Sequence, residues 1–297
     1  MLVTNGEPTD FRTFSYPLSS NPSATWDDCL EACFNVGECI VVFNNTNGCQ
    51  MFTIGQIYEA TKNKTGPVIA FKVLVDNSTD TCPANDMETG RGYYQTGNTY
   101  QPYNVTFDDP IWTFMSPPAQ SCPVNFKLFQ REKGPWCMQV VEHYACCNRT
   151  VASIMCYKEY NNSMLSGLDN QAEYDWAAAQ GMKVWNNVSS GRVGSIQYTN
   201  TGIWLNGNRT SACTGITTSP CNSISAFQFS DPLLSTPSQG YYWLPGQPDG
   251  SEAPGDGLVL KYNSATVYGV DDTTYSYPVV LHNVSCWKGY ICGVAPS

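Results

Sequence analysis

Residues 246–250, GQPDG, put the amide of Gln247 and the carboxylate of Asp249 on either side of Pro248, in a turn rich in glycine and acid. With a cis bond before Pro248, the two side-chain oxygens can be presented to one point. Converging oxygens are hard-cation chemistry, since calcium gathers about six to eight of them. Nearby acids could complete such a shell: Glu252, Asp256 or, with a rearranged loop, Asp271 and Asp272 of YGVDDTT. Trp243 precedes the turn and could stack on a sugar face, although filling the core of the loop region is the simpler role for an indole there.

Other chemistry is poorly provided for. The chain holds two histidines, His143 and His282, neither in a helix-borne metal pattern nor near a nucleophile motif, and no Gly-x-Ser-x-Gly occurs. His143 in VVEHYACC reads as a surface or internally satisfied histidine. The pairs Asp27-Asp28, Asp108-Asp109 and Asp271-Asp272 invite a glycosidase reading, but adjacent side chains usually point apart. No enzymatic role is expected. A formal net charge of -10 with no cluster of Lys and Arg argues against nucleic acid and anionic membranes. The longest apolar stretch, VIAFKVLV at 68–75, carries Lys72 and is too short for a membrane helix of about 20 residues.

Fourteen cysteines without Cys-x-x-Cys pairs suit disulfides in an oxidising compartment better than metal ligation. Asn-x-Ser/Thr acceptors at Asn44, Asn63, Asn77, Asn104, Asn148, Asn161, Asn187, Asn208 and Asn283 point the same way, toward a secreted, extracellular glycoprotein. The start, MLVTNGEP, has no basic, apolar leader, so the numbering is expected to begin on the mature protein.

The elements that must position these residues fall into three stretches of a chain long enough for two domains: 1–80, 81–121 and 122–297. In the first, SATWDDCLEACFNV predicts a helix capped by Ser23 or Thr25, with Trp26, Cys29, Leu30 and Cys33 on one face. CIVVFNN, CQMFTI and VIAFKVLV read as strands, with a turn at Asn47-Gly48. Cys33 with Cys39 and Cys29 with Cys49 is the simplest nested pairing, though sequence alone does not fix connectivity. The stretch 81–121, with GRGYYQTGNTYQPY and MSPPAQ, reads as an extended connector; its tyrosines packing along a domain face is the alternative. Beyond it, CPVNFKLFQREKGPWC predicts a hairpin that joins Cys122 to Cys137. Helices follow from about Thr150 and from Asn170, the second with an Asn170-x-x-Glu173 capping pattern. IWLNG, LVLKY and VSCWKGYICG complete the stretch.

The first stretch, from GEP through WDDCLEAC and the following cysteines to AFKV, resembles the PAN-like or CW domain of secreted nematode proteins. That resemblance implies a helix packed on a small antiparallel sheet that serves protein or carbohydrate contacts. The third stretch resembles a C-type lectin-like domain of the nematode kind, on the opening hairpin, Cys156, LSGL with Asn170 and Glu173, IWLNG, GQPDG and the ending YICG. The implied fold class is α+β: a small disulfide-stapled PAN/apple-like domain, then two helices packed on antiparallel sheets with a long loop region. The resemblance also implies a Cys156–Cys292 bond, restricting the unfolded chain by roughly 3 to 5 kcal/mol, and Cys213 with Cys221 as a local staple. Gly257 stands where the family has a cysteine, leaving Cys286 to pair with Cys146 or Cys147 or stay free, and Cys82 is unassigned.

In this family Gln-Pro-Asp resembles the galactose-type sugar turn, in which calcium and sugar hydroxyls share a shell. Here the further family ligands align poorly, on Gly255 beside Asp256 and on His282-Asn283, the latter opening a sequon. Two functions therefore stand side by side. One is a secreted binding protein that recognises galactose-type glycans, with calcium as cofactor. The other is an extracellular interaction or structural protein that keeps the fold without the metal and contacts proteins or copies of itself.

Overall fold

The structure, a computed structural model, describes residues 1–12, 25–45, 48–74, 89–159, 161–189, 198–250, 257–274, 279–280 and 285–297. Contacts divide it into two units, Met1–Ser121 with Ser297, and Cys122–Pro296. No described helix is long and apolar enough to cross a membrane.

The first unit runs β1 (Leu2–Phe11), α1 (Trp26–Asn35), β2 (Cys39–Asn45), β3 (Gly48–Thr53), β4 (Ile57–Lys62), β5 (Val68–Phe71), β6 (Gly90–Thr96), β7 (Thr99–Asp108), β8 (Ile111–Met115) and β9 (Gln120–Ser121). The strands pair in the order β3-β2-β5-β1-β4-β8-β7-β6, with β9 on β7. β1 changes partner midway, from β5 to β4. Gly6 sits at the change because a Cβ there would stand 2.6 Å from the Thr61 carbonyl oxygen.

Helix α1 begins as its sequence predicts. Thr25 caps it through a reciprocal pair: the Asp28 amide donates to Thr25 Oγ1 and the Thr25 amide to the Asp28 carboxylate. The Thr25 hydroxyl also donates to the Asp28 carboxylate at 2.7 Å, and that bond, with the one from the Thr25 amide, holds the Asp28 carboxyl below its ordinary range. Cys29 and Cys33 face inward and bond Cys49 and Cys39, the nested arrangement. Ser23 and Asn47 lie outside the described residues.

The extended connector expected over 81–121 is not what forms. Residues 90–121 supply four strands of the first sheet, antiparallel from β4 outward. Alternate positions Tyr103, Val105, Trp112 and Phe114 are buried with Phe71, whose ring meets Trp112 at 5.6 Å and Phe114 at 5.7 Å. The glycines that suggested a linker have a packing reason instead. A Cβ on Gly92 would fall 2.2 Å from the Tyr103 ring. Residues 75–88, with Cys82 and Asn77, lie outside the described set.

The second unit runs β10 (Lys127–Arg131), β11 (Gly134–Glu142), α2 (Arg149–Glu159), β12 (Met164–Leu165), α3 (Gln171–Ser189), β13 (Asn200–Arg209), β14 (Phe227–Gln228), β15 (Gly257–Tyr262), β16 (Tyr268–Thr273), β17 (Val279–Val280) and β18 (Ser285–Val294). Its sheet order is β10-β11-β18-β13-β15-β16, and β13 runs parallel to β18. Trp204 of β13 is fully buried, and its indole N–H donates to the Cys147 carbonyl at 2.8 Å. Disulfides join Cys122 to Cys137, Cys146 to Cys286, Cys156 to Cys292 and Cys213 to Cys221. Cys147 keeps its thiol, buried.

A charged cluster lies inside this unit. Arg131 follows Phe129 by two residues on β10, so strand alternation turns it inward with that ring. Its guanidinium forks onto Glu173 (2.7 and 2.9 Å) and Asp231 (2.9 Å to each oxygen), with no side-chain exposure on any partner. Asn170 caps α3 by accepting the Glu173 amide at 3.1 Å. The Glu173 carboxylate does not complete the expected capping pattern on Asn170; it takes the Asp169 amide at 2.7 Å and Arg131 instead.

Candidate functional site

The predicted turn lies in the loop between β13 and β15. Gly246 and Gly250 both take positive φ (86° and 60°), backbone that other residues resist, and the Gln247–Pro248 peptide is cis. The Gln247 amide donates to the Leu244 carbonyl at 3.0 Å, and the Asp249 amide to Gln247 Oε1 at 2.9 Å. Segment 242–244 runs along the edge of β16, the Leu244 amide donating to the Val270 carbonyl and the Val270 amide to the Tyr242 carbonyl. Trp243 is partly buried with its ring 6.0 Å from Phe227, a packing position in the loop core. Tyr242 stands 42% exposed.

Asp271 and Asp272 do not act as a pair. They are adjacent on β16 and point to opposite faces. Asp272 shares the core face with Val270 and is 2% exposed; one oxygen accepts the Asp249 amide at 2.9 Å, the other the Gly250 amide at 3.1 Å. The second oxygen also receives Arg209 Nη2 at 2.6 Å. Asp271, on the far face, pairs with Lys261 at 2.7 Å, diagonally across β15.

Arg209 therefore sits at the centre of the loop region. Besides Asp272 it reaches the Cys221 carbonyl at 3.3 Å and lies over the Phe227 ring at 4.8 Å. One guanidinium joins the end of β13, the Cys213–Cys221 staple, β14 and the 246–250 turn. Nothing in the sequence singled out Arg209 or Lys261.

Among the described residues, the oxygens of Gln247, Asp271 and Asp272 do not form a calcium shell. Gln247 Oε1 already serves the turn's own amide, and each acid on β16 is held by a protein cation. A calcium ion on Asp272, with oxygen contacts of about 2.4 Å, would stand within about 5 Å of the guanidinium. At an effective dielectric of about 20, that repulsion is about 7 kcal/mol. Among the described residues no group of three or more His, Cys, Asp or Glu is arranged for a metal. Glu252 and Asp256 lie outside the described residues, as do His282 and Asn283.

His143 is 8% exposed, with Nδ1 bonded to the Ala145 carbonyl at 2.8 Å, a satisfied histidine. Among the sequons, Asn104, Asn161 and Asn187 are exposed, and Asn44, Asn63, Asn148 and Asn208 are partly buried.

Comparison with known proteins divides the chain in the same order. Residues 1–73 match the family model described as PAN-like domain, and residues 128–253 the model described as C-type lectin domain-containing protein 141/158. The fold class is α+β, a disulfide-stapled PAN-like domain followed by a C-type lectin-like domain. No curated protein matches the sequence. Among solved structures, human lithostathine is 15% identical, with 58% of this chain and 90% of that chain covered and a TM-score of 0.35. The C-type lectin CEL-I from Cucumaria echinata is 14% identical over 59% of this chain and 99% of its own, TM-score 0.34. Ovocleidin-17, a major protein of the Gallus gallus eggshell calcified layer, is 16% identical over 59% and 99%, TM-score 0.32.

Proposed function

We propose that the chain is a secreted binding protein of the C-type lectin-like class, which holds a galactose-type glycan against the 242–250 segment of its second unit. The observation that supports this is a fixed turn that leaves polar side chains partly exposed. Asp272 anchors the turn through its Asp249 and Gly250 amides, while Gln247 and Asp249 stay partly exposed. A rigid loop that offers amide and carboxylate groups loses little entropy when a small polar ligand docks. Export follows from the same reading, because twelve of the thirteen cysteines among the described residues are paired and glycan acceptors are abundant. No reaction is proposed.

A second reading has its own support. With Asp271 and Asp272 held by Lys261 and Arg209, the fold could serve as a hardened frame for contacts with proteins or with other copies of the chain. Binding to an array of immobilised galactosides, with calcium and with chelator, separates the two. The glycan reading expects binding that Asp249→Ala and Gln247→Ala weaken at least tenfold. Absence of binding to every sugar tried overturns it and directs the search to protein partners and self-association.

A further inference from the structure

We infer that Arg209 is the resident cation of the 246–250 turn, so that the turn is ordered without calcium. This rests on the reading above only for the place of the turn.

A divalent cation at a loop draws oxygen ligands from separated segments to one point and cancels their charge. Arg209 does both with a fixed side chain. It neutralises Asp272 at 2.6 Å, and the two oxygens so held accept the amides of Asp249 and Gly250. It fastens the neighbouring segment by its bond to the Cys221 carbonyl. The pair is out of water, with side-chain exposures of 1% and 0%, and the Phe227 ring covers the guanidinium on one face. Arginine keeps its charge throughout the physiological pH range. Its planar group reaches two acceptors in different directions, Nη2 to Asp272 and Nη1 to the Cys221 carbonyl. Gly250 suits the turn by its backbone alone: its φ of 60° disfavours side chains, although a Cβ there would make only ordinary contacts with Thr217 and Arg209.

Hydrogen exchange at the Asp249 and Gly250 amides reads the order of the turn directly. In the full-length protein, exchange is expected to change less than twofold between millimolar calcium and chelator. In Arg209→Met it is expected to rise at least tenfold in both solutions, with β18 amides as the folded control. A tenfold rise in the unmodified protein on chelation overturns the inference, as does wild-type protection in Arg209→Met. Calorimetry with calcium alone gives a second decision: saturable heat that Asp249→Ala abolishes also overturns it. The unmodified protein suffices for the chelator and calcium arms if the variant does not fold. A chain that binds no sugar yet keeps a chelator-insensitive turn refutes the ligand reading and leaves this inference standing.

Discussion

Replacing Arg131 by methionine tests the charged cluster of the second unit. The variant keeps an unbranched stem against Trp136 but leaves Glu173 and Asp231 buried without their cation, and the Gly167 carbonyl with the Ser166 hydroxyl as its remaining donor. Breaking a buried pair in this way costs about 3 to 5 kcal/mol. For a unit of this size, about 2 to 4 °C per kcal/mol, the melting point should fall by about 10 °C. The loss should also depend on pH. Burial raises the Glu173 carboxyl above its ordinary 4.5 against the pull of Arg131, and removing Arg131 raises it further. A raised folded value means the stability is present below the unfolded value and lost as pH rises through the folded one. The deficit should therefore be smaller near pH 4.5 than at pH 7.5. Scanning calorimetry at both pH values measures it, with the transition of the first unit as internal reference. Replacing all three charged residues with apolar ones should recover much of the loss. A fall of under about 2 °C, or the same deficit at both pH values, would refute the reasoning.

Cys147 should resist alkylation in the native protein and react once unfolded, as peptide mass mapping with and without denaturant would show. Burial pushes its thiol from 9.0 up to about 12, with Lys288 opposing. The same raised value means stability holds below about pH 9 and then falls by about 4 kcal/mol toward pH 12. Cys147→Ala should flatten that alkaline limb; an unchanged limb would assign it elsewhere. Gly181→Ala should destabilise the second unit by about 1 to 3 kcal/mol despite alanine's better helix propensity. Its Cβ would fall 2.2 Å from the Tyr262 hydroxyl, which donates to the Ala178 carbonyl, and a denaturant midpoint above wild type would contradict this.

Much of the fold was readable because its signals are local. The Thr25 and Asp28 cap, the inward cysteines of α1 and the Asn170 cap of α3 each lie within a few residues of what they organise. The strands over 90–121 were hidden by composition. Their alternation in NVTF and IWTF is short, and their glycines yield space to Val73 and Tyr103, neighbours a local reading does not supply. The site divides similarly. GQPDG announced itself as a turn, but its anchor Asp272 lies 23 residues beyond Asp249, and the cation on that anchor 63 residues back from it. Arg131 was the more accessible miss, since alternation from Phe129 already turns it inward.

The first sheet separates what is inherited from what folds. The match to a known domain ends at residue 73, yet Phe71 at its edge packs on Trp112 and Phe114, and β4 takes its outer partner from β8. A shorter piece, moved to another protein as a portable module, would carry a bare strand edge and an aromatic without its neighbours. Such edges recruit other chains. The smallest transplantable segment is therefore about two-thirds longer than the recognisable motif, and its last four strands are part of the cargo.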